Sequence, residues 1–156
     1  MSAYACGEAP APAPAATSAV VPETGGHAHE APHGGVLVEL GEEFGHVELV
    51  LDGVAGTVTA YVLDGEGEQA VRLAQGSLTL LVKEPASLSG RSFDLAARAN
   101  VLTGETVGDT SQFVLANEAF KGLSAFQGTL VHVAYKGQEF RDVPVTYAKP
   151  SGDPGP

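Results

Sequence analysis

The chain has 156 residues, room for one ordinary domain; 44% are hydrophobic, yet there is no Trp and only six Phe and four Tyr, so Val and Leu must build the core. Its formal charge is −11, from 8 basic and 19 acidic residues, which repels phosphate backbones and anionic membrane surfaces and speaks against nucleic-acid binding. With one cysteine, Cys6, there can be neither an intramolecular disulfide nor a cysteine metal cluster. No apolar run approaches the roughly 20 residues needed to span a bilayer as a helix.

Residues 1–32 read as a disordered tether. They hold Pro10, Pro12, Pro14, Pro22 and Pro32, with an Ala-Pro repeat from Ala9 to Ala16, and no Lys or Arg. Proline removes amide donors and blocks helix, so an extended arm is expected. Cys6, preceded by small residues and followed by that tether, resembles a bacterial lipoprotein processing site. On that resemblance Cys6 is the candidate lipidation site and the only route to a membrane. The alternative is an incidental cysteine, since only five residues precede it and Ala3 stands where lipoproteins prefer Leu.

Four of the five histidines, His27, His29, His33 and His46, fall in a 20-residue window. Imidazole suits Zn(II), Cu(II), Ni(II) and Co(II), and the absence of methionine beyond Met1 leaves Cu(I) capture without support. His27 and His29 are spaced to share one side of an extended chain. His46 and Glu48, two apart in a strand, are expected on its outward face, with Val47 and Leu49 on the core side. The candidate metal ligands are therefore His33, His46, Glu48, His27 and His29. The alternative is a polar linker beside an ordinary exposed strand face.

From residue 33 to 149 short Val-, Leu- and Thr-rich runs alternate with Gly, Asp and Asn. Strands are predicted at 36–40, 45–52, 57–63, 70–73, 77–83, 92–96, 111–115, 128–136 and 138–147. Tight hairpin turns are predicted at Asp52-Gly53 and Lys136-Gly137. Pro144 marks the last strand as an edge or a bulge. A short helix is predicted at 117–124 with Asn117 as its N-cap. His132 lies in an apolar strand and reads as a partly buried core histidine. Residues 150–156 read as a disordered tail. The fold class expected is all-β, an Ig-like antiparallel β-sandwich.

The order Pro32-His33-Gly34-Gly35, then Gly41, His46-Val47-Glu48 and Tyr61-Val62-Leu63-Asp64 resembles small bacterial envelope proteins and lipoproteins with an HGG…HxE…YxxD pattern. Similar segments are associated with periplasmic adaptor subunits of heavy-metal efflux systems. The resemblance implies a β-sandwich in the periplasm or outer envelope, with His33, His46 and Glu48 in a metal-linked role. It also implies an efflux adaptor or another envelope protein as partner. Family members end their last strand with a histidine, whereas this chain ends Thr146-Tyr147-Ala148. No phosphate-binding glycine loop, nucleophile elbow or His-Glu-x-x-His is present, and an enzyme is not expected. The function expected is therefore an extracytoplasmic protein that binds a divalent transition metal, accessory to metal efflux or homeostasis. The alternative is a non-enzymatic interaction module with no metal site.

Overall fold

The structure is a computed structural model, and it describes residues 29–148. Cys6, His27, the Ala-Pro repeat and the 150–156 tail lie outside the described residues.

The strands are β1 (Val36–Leu40), β2 (Gly45–Asp52), β3 (Thr57–Leu63), β4 (Ser77–Glu84), β5 (Ser92–Ala97), β6 (Gln112–Ala116), β7 (Ala125–Tyr135) and β8 (Gln138–Ala148). All eight join one sheet in the order β1-β2-β3-β6-β5-β4-β7-β8, and every pairing is antiparallel. The all-β class expected from the sequence is what the chain forms. The strand pairing does not confirm an Ig-like sandwich; the single sheet curls until β1 and β8 approach each other, and the result is barrel-like.

The interior follows from period-2 patterning. Leu78, Leu80 and Val82 of β4 face inward with Val58, Ala60 and Val62 of β3, all fully buried. Small residues let the sheet close. A Cβ on Gly45 would stand 2.4 Å from the Tyr135 ring, and one on Gly128 would stand 2.2 Å from the Leu81 carbonyl oxygen. Two tyrosines tie the wall across long sequence distances. Tyr135 donates its hydroxyl proton to the Leu63 carbonyl at 3.2 Å, and the Leu51 amide donates to the Tyr147 hydroxyl at 3.2 Å.

Several expectations change in detail. The run 70–73 forms only isolated bridges, Leu63 to Ala70 and Leu73 to Thr110, because it serves as a loop lacing β3 to the β5–β6 connection. The Asp52-Gly53 turn is a four-residue loop instead of a tight hairpin. The Asp52 carboxylate accepts from the amides of Val54 and Ala55, and Gly56 takes the positive φ of 73°. Lys136-Gly137 does turn tightly, with φ of 47° and 82°, as a two-residue type I′ link requires. The predicted helix is a single 3₁₀ turn at Glu118–Phe120, and Asn117 caps it by accepting from the Ala119 amide at 2.9 Å. Pro144 sits on β8, the terminal strand of the order, where a missing amide is tolerated.

Near the middle of the β7–β8 hairpin Asp142 adopts φ 51°. Leu130 and Val143 are buried on one side of that point, and Val133 and Tyr135 beyond it. The inward set thus shifts parity, which simple alternation did not foresee. His132 is partly buried, as expected, with its Nε2 enclosed 3.3 Å from Glu139 Oε1 across the hairpin, but it lies outside the apolar core.

The β5–β6 connection is organised by one buried carboxylate. Glu105 accepts from the Ser111 amide and hydroxyl at 2.6 Å each, from the Thr110 hydroxyl at 3.3 Å, and from the Thr103 hydroxyl. Burial by itself would raise its pKa, but the Ser111, Thr103 and Thr110 hydrogen bonds outweigh it and hold the group at about 2. A folded-state pKa below the unfolded one stabilises the fold above the unfolded value, and that contribution is lost as pH falls toward the folded one. Glu105→Gln is therefore expected to destabilise the chain by at most about 3 kcal/mol at pH 7. The gap to wild type, measured by chemical denaturation, should narrow between pH of about 4.5 and about 2. A gap that does not change with pH contradicts this reading of Glu105.

Candidate functional site

The pattern residues of the sequence converge on one place, the outer face of β1–β3. In the ladder Glu48 lies opposite Leu37 on one side and Tyr61 on the other, and His46 lies opposite Glu39 and Leu63. Alternation does turn His46 and Glu48 away from Val47 and Leu49. They are nevertheless not exposed: Glu48 is fully buried and His46 is 4% exposed. The segment from His29 to Gly35 folds back over this face before β1 begins, so β2 is covered on both sides. This corrects the expectation of a solvent-facing pair.

A carboxylate buried in this way must be satisfied, or it costs several kcal/mol. Glu48 is satisfied entirely by the covering segment. Its Oε1 accepts from the His33 amide at 2.8 Å and from the Gly35 amide at 2.9 Å. Its Oε2 lies 2.7 Å from His33 Nδ1. The two glycines make this convergence possible. Gly34 takes φ 74°, and a Cβ on Gly35 would stand 2.2 Å from the Leu49 carbonyl oxygen. His-Gly-Gly is thus the sequence that lets two amides and one imidazole close on a single carboxylate.

Tyr61 completes the clasp. Its ring stacks on His33 with centroids 3.7 Å apart and planes 5° from parallel. Burial, and then the neighbouring Glu48 carboxylate, push the Tyr61 phenol above its ordinary pKa, so it stays protonated at neutral pH. Asp64 serves the same neighbourhood through its backbone and side chain. Its carbonyl lies 3.0 Å from His46 Nδ1. Its Oδ1 accepts from the amides of Glu66, Glu68 and Gln69, and chiefly the Glu68 amide holds the carboxyl below its usual range. Those bonds explain why the Asp64–Glu68 acidic run is a self-closed turn.

His29 lies over His46, with ring centroids 5.2 Å apart and planes at 65°, and its Nε2 is 3.9 Å from the Glu43 carboxylate. Of the expected ligands, the fold brings His33 to Glu48 and His29 to His46. It does not assemble His33, His46 and Glu48 around one point. Among the described residues no group of three or more His, Cys, Asp or Glu side chains is arranged as a ready-made metal cage. The roles of Tyr61 and Asp64 were not assigned from the sequence, although both stand in the recurring pattern. Comparisons with models of known protein families, with characterised proteins and with solved structures find no match.

The clasp has a measurable consequence. Glu48→Ala leaves the buried Gly35 amide, the part-buried His33 amide and the half-exposed His33 imidazole without their acceptor, a fully buried unpaired donor costing about 1–3 kcal/mol. Chemical denaturation should show a loss of about 2 kcal/mol or more, with faster amide exchange at His33 and Gly35. Unchanged exchange at those two amides would show that other contacts hold the segment.

Proposed function

We propose that this chain is a non-catalytic envelope domain that captures a divalent transition metal at its histidine-covered face. The carrying observation is the His29–His46 pair. His46 faces the Asp64 carbonyl through Nδ1, so Nδ1–H donates there and Nε2 keeps a lone pair for a metal. Two imidazoles on one tetrahedral ion, each bonded at about 2.0–2.1 Å, place their ring centres roughly 5 Å apart. The 5.2 Å separation fits that arrangement, and the Glu43 carboxylate adds negative charge beside it. The donor set, imidazole nitrogen with carboxylate nearby, fits Zn(II), Cu(II), Ni(II) or Co(II).

One ligand is borne by a strand and the other by the segment ahead of the clasp. A metal bridging them would fasten that segment to the sheet. Two imidazoles leave coordination positions open for His27, for solvent, or for a partner that receives the ion. Open positions suit a protein that buffers or hands on metal better than one that stores it. The location in the periplasm or outer envelope, the Cys6 anchor, the likeness to envelope β-sandwich domains and the service to an efflux system belong to the same proposal. Their support is the HGG…HxE…YxxD order.

A second reading has its own observation. The seam between the edge strands β1 and β8 holds a groove of about 660 Å³ lined by residues such as Val36, Glu39, Phe140 and Val143. An interaction module that adds a partner's strand there would need no metal.

Titration of the full chain with Zn(II), Cu(II) and Ni(II) separates the two. Metal capture predicts saturable binding and a rise in Tm, by mass action. His29→Ala should weaken binding at least tenfold while leaving the metal-free Tm near that of wild type. No saturable binding, or binding untouched by His29→Ala, rejects the site.

A further inference from the structure

We infer that Glu48 acts as a positioning residue rather than a metal ligand: it fixes the tautomer and ring plane of His33, so that His33 Nε2 is a further metal-coordinating atom beside the His29–His46 pair, presented to solvent. The inference rests on the metal-capture reading and assigns how this face displays its most exposed imidazole.

Both Glu48 oxygens are committed. Oε1 carries two backbone amides and Oε2 faces His33 Nδ1 at 2.7 Å, with the carboxylate fully buried. An ion could reach those oxygens only by displacing the amides that hold the segment in place. The ring of His33 differs: its side chain is 41% exposed. A carboxylate only accepts hydrogen bonds, so the proton of a neutral His33 ring sits on Nδ1 and the lone pair on Nε2. Carboxylate behind imidazole behind metal is a recurring way to orient a ligand and raise its basicity. Stacking on Tyr61 removes the remaining freedom, the rotation of the ring about its bond to the chain. The neighbouring glycines contribute by bringing the His33 amide and ring to the same carboxylate.

Glu48→Gln isolates the effect. The Gln carbonyl can still accept from the His33 and Gly35 amides, while its NH₂ group only donates toward Nδ1. His33 should then carry its proton on Nε2, where it blocks coordination. The experiment is long-range ¹H–¹⁵N NMR of the imidazoles in the full chain at one fixed neutral pH, followed by Cu(II) titration read as paramagnetic broadening of the His33 Hε1 signal. Wild type should show the Nδ1–H form and broaden at His33. Glu48→Gln should show the Nε2–H form, keep slow exchange at the Gly35 amide, and need about 10- to 100-fold more Cu(II) to broaden His33. His33→Ala should leave the broadening of His29 and His46 in place.

If Glu48→Gln broadens at His33 like wild type, the inference is overturned while metal capture stands. Broadening of His29 and His46 but never of His33 in wild type has the same meaning. If no imidazole of wild type responds to Cu(II), the metal-capture reading fails, and this inference with it.

Discussion

The structure turns on one buried carboxylate. Glu48 sits mid-strand on the outer face of the sheet, a position that would ordinarily face water. It is enclosed because the chain ahead of β1 folds over it and supplies every donor it needs. The dependence runs both ways. Without Glu48 the His33 and Gly35 amides would be orphaned, and without the His-Gly-Gly turn the carboxylate would be buried unpaired. The same segment carries His29 over His46, stacks His33 on Tyr61 and leads directly into β1.

A clasp of this kind separates what holds the face together from what the face offers. The carboxylate and the backbone amides are used up internally. His46 and His33 each commit Nδ1 within the fold, and the proposed metal capture uses their Nε2 atoms. An acidic chain of charge −11 also draws cations toward its surface. On the proposed reading, two imidazoles with a carboxylate nearby suit reversible capture. Elsewhere the molecule uses the same device for a different end, since Glu105 gathers donors from Thr103, Thr110 and Ser111 to fix a loop that carries no histidine.

Much of the sheet was legible from local patterning. The period-2 runs in β2, β3 and β4, the Lys136-Gly137 turn, the edge position of Pro144 and the Asn117 cap are set by residues near in sequence, and they form as read. What failed depended on distant contacts. The burial of His46 and Glu48 needs a segment 13 to 15 residues away to fold back, and alternation alone describes which side a residue faces, not what covers it. The Asp142 shift in β8 and the reduction of 70–73 to bridges likewise arise from how strands meet. Closure of the eight strands into one sheet is a global property that strand counting left open. At the site, the sequence nominated His33, His46 and Glu48 together. It could not distinguish a carboxylate that binds metal from one that holds the histidine.

X-ray absorption spectroscopy of the full chain loaded with one equivalent of Zn(II) reads the atoms around the ion and so tests capture by the histidine-covered face. Capture at the His29–His46 pair predicts at least two imidazole nitrogens at about 2.0–2.1 Å, with light N or O donors completing the sphere. A coordination shell of oxygen atoms alone, without the outer-ring scattering of imidazole, would contradict it.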